Sequence, residues 1–397
     1  MVMVKDLTEL TLKDLWKEVK DEDEWWEEIN ERTLRMVKQI LESSLEEELL
    51  EFLRASRYQR TEVRQGYRNG HYEKSLFTQY GVIKGLRVPR ARENYPSKIL
   101  PRYQRRQTEI NDMVRGMFLT GVSTRRVGEL LVKLHGEKIS AQTVSNIARS
   151  LDTDVYLYHN RSLSDVYCYL LFDGISLKVK GADGVHKKQI LCAYGVTVDG
   201  KKEIIDFRQG ADESTAKWEG FLRDLYERGM EGKHCKLIVT DGCPGLHAAL
   251  ETVYPYIAKQ RCWAHKLRNV SNRLRRMDQK ECIADARYIY LAGNRKEAVR
   301  AYNDWKHKWQ AKYPEAIKCI QKDIDELLNF LDMPVAHRKL VRTTNIIERA
   351  FREVRRRVRP MSSFTNSRSV ERIIFGVMSH LNQSWKDKPL NNFTQNT

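Results

Sequence analysis

Residues 167–241 constrain the fold more than any other stretch, because the hydrophobic period changes twice within them. YCYLLFDGISLKVKG, HKKQILCAYGVTV and KKEIIDFRQ are three β-rich runs, dense in the branched and aromatic side chains that suit a pleated surface. Asp199-Gly200 joins the last two. This pair favours a tight hairpin turn, so the two strands are expected to be antiparallel neighbours. STAKWEGFLRDLYERGM then reads as a helix, and CKLIVTDG as a short buried strand. Three meandering strands, a helix and a fourth strand bury their apolar faces as an α/β layer.

Two carboxylates end apolar runs in this stretch. Asp173 follows Tyr169-Leu-Leu-Phe, at the end of or within the first strand, and Asp241 follows Leu237-Ile-Val-Thr at the end of the fourth. If those strands are neighbours, both side chains emerge at one edge of the sheet. Carboxylates sharing a cleft repel, and one is protonated unless cations lie between them. Magnesium, a hard ion that prefers oxygen, relieves that conflict. A pair of such ions about 3.5–4 Å apart can activate an attacking oxygen and stabilise a leaving one. The competing reading makes each Asp-Gly a simple turn, as Asp199-Gly200 is read.

A third carboxylate lies in RTTNIIERAFREVRRRVRP. Ile347, Phe351, Val354 and Val358 form the buried stripe of a helix, and Glu348, Arg352 and Arg355 lie on an adjoining face. A carboxylate beside arginines can hold metal while the arginines hold phosphates. Glu348 has a structural alternative too: with Asn345 as N-cap it becomes the third-position partner of a capping box, and both roles can coexist.

Charge points to the partner. Lys plus Arg number 70 against 53 Asp plus Glu, a net charge of +17, which implies a polyanion. An anionic membrane is not expected: no apolar run approaches the ~18 residues of a spanning helix, and MVMVKDLTELTLKDLW is too charged for a signal peptide. The seven cysteines form no CxxC pair, so reduced thiols and a cytoplasmic location are expected, nucleoid-associated when on DNA.

That charge is unevenly distributed. Residues 1–53 are acidic and helical, with Leu34, Val37, Ile40, Leu41, Leu45 and Leu49 as a stripe for packing or dimerisation. Residues 54–106 are basic and aromatic, with short strands around Gly81 and Gly85; Arg68, Arg87 and Arg90 are candidate phosphate contacts. Residues 107–160 read as a helix-turn-helix, whose second helix enters a major groove. Its starts are Gly121-Val122-Ser123-Thr124 and Ser140, and Arg125, Ser140, Gln142 and Thr143 are its candidate DNA contacts. The α/β core occupies 161–271 and resumes at 341–385, with an all-helical insertion at 272–340 and a tail at 386–397.

The stretches RNGHYEKSLFTQYGVIKGLRVPR, LPRYQRR, TGVSTRRV, LFDGISLKV, VTDGCPGL, QRCWAHKLRNV and RTTNIIERAFREVRRR, in this order, resemble the Mutator-type bacterial insertion-sequence transposases along nearly the whole chain. That resemblance implies an RNase H-like core interrupted by a helical insertion, with a DDE triad on Asp173, Asp241 and Glu348 holding two Mg2+ (or Mn2+) ions. It also implies cleavage and strand transfer of double-stranded DNA, with inverted-repeat ends and target as substrates, by a homodimer. Arg349, Arg352, Arg355 and Arg356 would then face DNA. Cys262 and His265, in RCWAHKLRN, match the family's Cys-x2-His signature, with Arg268 on the basic stretch that follows. A lone CxxH offers two of zinc's four ligands and no companion pair is apparent, so a structural or DNA-contacting role is expected. Trp263 and Ala264 depart from residues common in the family, which leaves the role of that motif open. Two rival readings are a structure-selective nuclease without strand transfer and a DNA-binding regulator on an inactive catalytic fold.

Overall fold

The computed structural model describes residues 22–181, 184–359, 364 and 366–390; the start of the acidic segment and the end of the C-terminal tail lie outside them. The chain divides into two units, 1–118 with 122–148, and 119–121 with 149–397.

In the first unit the acidic helix α1 (Glu22–Leu53) lies on a hairpin of β1 (Arg68–Thr78) and β2 (Gly81–Ala91). Leu45 packs with Leu76, Ile83, Leu86 and Val88, and Leu34, Val37 and Leu41 extend the contact. The stripe is therefore covered from within the chain. Ile40, expected in it, is 60% exposed, because it sits about 100° round the helix from Leu41. The acids of α1 also bind the hairpin: Glu46 reaches Arg68 at 2.6 Å and His71 at 2.5 Å, and Glu42 accepts the Arg87 backbone N–H at 2.8 Å. Glu48 accepts from Tyr95 (2.8 Å), Ser97 (2.6 Å) and the Lys98 amide (2.5 Å).

Three helices complete this unit: α2 (Thr108–Leu119), α3 (Thr124–His135) and α4 (Ala141–Arg149). Ile110, Val114, Val127, Leu131 and Val144 form their common core with Phe77 of β1. Ser123 caps α3 by accepting the Arg126 amide at 3.3 Å, as its position suggested. Residues 151–160, read from sequence as the end of this segment, form helix α5 (Leu151–Asn160) of the second unit.

The second unit is built on a five-stranded mixed sheet: β3 (Tyr167–Gly181), β4 (Gly184–Thr197), β5 (Lys202–Gly210), β6 (Leu237–Thr240) and β7 (Lys259–Arg261), in spatial order β5-β4-β3-β6-β7. The first three are antiparallel, with the expected turn at Asp199-Gly200, and β6 and β7 run parallel to β3. Helices α6 (Thr215–Glu227) and α7 (Pro244–Val253) cover one face, where Trp218, Phe221, Leu222, Leu246 and Leu250 meet Leu170, Phe172, Leu191 and Ile238. Each such side chain contributes about 1.5–3 kcal/mol by leaving water. On the sheet side, α14 (Asn345–Val358) contacts β3 and α15 (Ser367–Trp385) contacts β5. Arg372 of α15 grips Asp152 of α5 through two bonds of 2.5 and 2.7 Å.

Between β7 and α14 the chain is helical: α8 (Trp263–Ser271), α9 (Arg276–Leu291), α10 (Arg295–Trp309), α11 (Pro314–Gln321), α12 (Ile324–Leu328), a 3-10 turn and α13 (Val335–Val341). Buried polar bonds fasten this array to the edge strand. Leu327 O accepts from Trp263 Nε1 at 2.7 Å and Gln260 Nε2 at 3.0 Å, Lys266 meets Asp323, and Arg261 binds Glu326 at 2.6 Å.

Candidate active site

The sheet register brings the two aspartates together. The last β3–β6 pair is Phe172↔Thr240, so the next position places Asp173 beside Asp241 at the end of β6, and the two-residue strand period puts Asp173 on the face away from α6 and α7. Asp173-Gly174 is no turn, because β3 continues through it to Gly181. Gly174 leaves room for the Glu213 carboxylate, which a Cβ there would displace. Asp241-Gly242 does turn, with Gly242 at φ +89° and the Asp241 carboxylate accepting the Cys243 amide at 2.8 Å. At Asp241 the structural role is therefore present, and it leaves carboxylate oxygens available.

Asp173 is buried, at 5% exposure, and accepts the Gly174 amide at 2.8 Å. Burial, then the charge of Asp241, push its pKa up to about 7, against a smaller opposing pull from His265. Glu213, which the sequence reading passed over, is raised by burial and by the same Asp241. Its only sequence signal was an acid just before the start of α6.

Glu348 enters from α14. Thr344, not Asn345, is the N-cap, and it makes no side-chain cap bond, so the capping box that was the alternative for Glu348 does not form. The Glu348 amide takes the first helical bond, to Thr344 O at 3.1 Å. Its carboxylate is left for His265 Nε2 at 3.3 Å and Arg268 Nη2 at 3.9 Å.

Cys262, His265 and Thr344 form a knot beside these acids. The Thr344 amide donates to Cys262 Sγ at 3.3 Å, and Thr344 Oγ1 lies 3.5 Å from both Cys262 Sγ and His265 Nδ1. Burial pushes the Cys262 thiol up, but bonds from His265 and Thr344 outweigh it and hold it below its ordinary value. His265 is raised to about 9, chiefly by its bond with Cys262, with support from Asp173 and Asp241. His265 thus touches Glu348 and feels the charges of Asp173 and Asp241, all of which favour its protonated form. Thr344, which no sequence signal singled out, is the joint between β7–α8 and α14. Among the described residues no group of three His, Cys, Asp or Glu converges closely enough to grip one ion. The donor chemistry nonetheless suits a hard cation: the acids are oxygen donors, and Asp173 is held away from its charged form by burial and a like charge.

Residues 8–388 match the family described as Transposase, Mutator family. The chain belongs to that family. It is 33% identical over 353 residues to the transposase for insertion sequence element ISRM5 of Rhizobium meliloti (strain 1021), covering 89% of this chain and 88% of that one. It is 32% identical over 350 residues to the transposase for IS256 in transposon Tn4001 of Staphylococcus aureus, covering 87% and 89%. The transposase for IS905 of Lactococcus lactis is 30% identical over 358 residues, 90% of each chain. Membership of this transposase family carries nuclease- or transferase-type activity and DNA as the general partner. Among the described residues no helix is long and apolar enough to cross a membrane.

The candidate DNA contacts fall in both units. In the second, Arg349, Arg352, Arg355 and Arg356 are exposed on α14, with Arg356 held by Glu353 at 2.9 Å. In the first, Arg87, Arg90 and Arg125 are exposed, whereas Arg68 is tied to Glu46. Ser140 and Thr143 hydroxyls bond each other at 2.9 Å and the Thr143 amide donates to Ser140 at 3.1 Å, so this pair caps α4; Gln142 reaches Asn146 at 3.0 Å.

Proposed function

We propose that this transposase binds the inverted-repeat ends of its own insertion sequence and cuts and joins DNA through a DDE triad of Asp173, Asp241 and Glu348, on an RNase H-like core. The single observation that carries the reading is the pairing of a buried Asp173, raised to about 7, with Asp241 across adjacent parallel strands. A pair so placed costs stability unless a cation neutralises it. The strand order β5-β4-β3-β6-β7, with helices between β7 and α14, supports the core assignment.

Asp173, Asp241 and Glu348 would hold two Mg2+ or Mn2+ ions, which supply activation of the attacking oxygen and stabilisation of the leaving one. Water attacks the phosphodiester first and frees a 3′-hydroxyl; that hydroxyl then attacks a target phosphodiester, forming one P–O bond as another breaks. His265 balances the charge of the three acids and positions Glu348. Arg268, Arg349, Arg352 and Arg355 neutralise the strand's phosphates, and the first unit reads the ends. The deciding experiment is a cleavage and strand-transfer assay with Mg2+ on duplexes carrying the element's ends and on random duplexes. Metal-dependent cutting at the ends with joined products supports the reading; cutting without joining supports a nuclease, and binding without cutting a regulator.

A further inference from the structure

A cavity of about 1030 Å³ in the second unit lies beside the triad rather than in it. Its walls come from α8, α9, α13, the start of α14 and the segment Lys388–Leu390. Asn345, Ile346 and Arg349 of α14 line it, so the helix that turns Glu348 toward His265 turns an adjoining face to the cavity.

The lining is one-sided in charge. Lys202, Arg287, Lys339, Arg342, Arg349 and Lys388 contribute to it, together with Arg268, and no Asp or Glu does. Among the described residues none of those first six has an ion-pair partner. Burial and the neighbouring Arg349 lower the pKa of Lys202, as expected of cations packed without an anion. The chemistry is not only cationic. Arg342 stacks on Tyr290, 4.7 Å from the ring centroid, and Tyr290 rests on Trp263 at 5.3 Å. Asn272, Asn345 and Thr343 add hydrogen-bonding groups.

The volume lies just above the ~300–1,000 Å³ of small-molecule sites, room for a nucleotide rather than for a duplex inside it. A single nucleotide fits, with its phosphate among the cations and its base against a guanidinium–aromatic stack. We infer that this cavity takes an unpaired nucleotide of the DNA strand, drawn out of the duplex next to the scissile phosphate. The inference rests on the DNA-cutting reading for its purpose but not for its test.

The test is fluorescence anisotropy in chelator with two probes of equal phosphate number, a labelled oligothymidylate and a blunt hairpin duplex. Arg287→Ala with Lys339→Ala should weaken oligothymidylate binding about tenfold and duplex binding under about threefold. Arg342→Lys keeps the charge, removes the planar stack, and should show the same selectivity. Lys318→Ala, outside the cavity and paired with Glu315 at 2.8 Å, should change neither. Equal losses on both probes, or none on oligothymidylate, overturn the cavity assignment and leave the triad reading standing. Loss of metal-dependent cutting in Asp173→Asn bears on the triad alone, because neither probe needs metal to bind.

Discussion

Two basic regions of this chain look alike in sequence and differ in structure. The hairpin of the first unit carries Arg and Lys in excess, yet α1 lays an acidic face on it: Glu46 takes Arg68 and His71, and Glu42 and Glu48 take backbone amides. Around the cavity of the second unit the cations meet no acid among its lining residues. Net charge along a sequence is therefore a poor measure of charge available to a polyanion; what counts is which cations the fold leaves without a partner. The expected division of labour follows, with chemistry and strand capture in the second unit and end recognition by the unpaired cations of the first.

The largest expected effect breaks the chemistry and spares the recognition. Asp173→Asn or Asp241→Asn should lower metal-dependent cleavage on the order of a thousandfold while gel-shift affinity for the ends in chelator is unchanged. Because the native Asp173 charge is opposed by burial and Asp241, the neutral variant should melt at the same or a higher temperature without metal. Near-normal cleavage by either variant removes the triad assignment.

Glu348→Gln comes next. With the capping box absent, the substitution removes only the contacts to His265 and Arg268, so stability should change little while cleavage falls by orders of magnitude, roughly a hundredfold or more, an amide being a poor ligand for a hard cation. Glu353→Gln is the internal comparison: it lies about 140° round the helix from Glu348 and pairs with Arg356, so cleavage should persist. An active Glu348→Gln enzyme, or an inactive Glu353→Gln one, reverses the roles.

These residues also show what the sequence could reveal. Strand alternation and the Asp199-Gly200 turn made the meander of β3, β4 and β5 readable; the pairing of β3 with β6, and with it the shared edge of Asp173 and Asp241, entered only as a condition that the sheet then meets. Local pattern carries that far because strand pairing is periodic. It could not reveal Thr344 or Glu213, whose roles depend on side chains 79 or more residues away or on space above Gly174. Nor could it separate the cap reading of Glu348 from the site reading, since both need an acid in the first turn. Sequence did mark Ser140 as a helix start, and it caps α4 through Thr143; that Arg68 is bonded to Glu46, 22 residues away, it could not show.

Smaller effects test recognition. Arg87→Ala and Arg90→Ala should each weaken binding to all duplexes and flatten the salt dependence by about one unit of slope. Gln142→Ala should cut the preference for end over random duplex by about tenfold without a change in slope. Ser140→Ala should instead cost about 1 kcal/mol of stability through the lost cap and leave that preference intact. Anisotropy titrations across a salt series separate the three. A lost preference in Ser140→Ala with unchanged stability would restore it as a base contact.

The smallest effect concerns the compensated hairpin itself. Burial raises the Glu46 carboxyl, but the bonds from His71 and Arg68 outweigh it, and its folded pKa lies below the ordinary 4.5. Its contribution to stability is then complete above 4.5 and is lost as pH falls through the folded value, because protonation of the native carboxyl releases both partners. Hydrogen exchange of the β1–β2 amides, taken relative to the intrinsic rate at each pH, should therefore quicken below about pH 4.5 in the native chain. In Glu46→Gln, which has no charge to lose, exchange should be somewhat faster at neutral pH and flatter across the acid range. The freed Arg68 should at the same time raise duplex affinity slightly, by less than about threefold, since one more cation becomes available. If Glu46→Gln keeps the native acid response, the carboxylates of α1 are not what neutralises the hairpin, and the contrast between the two basic regions has to rest on the cavity alone.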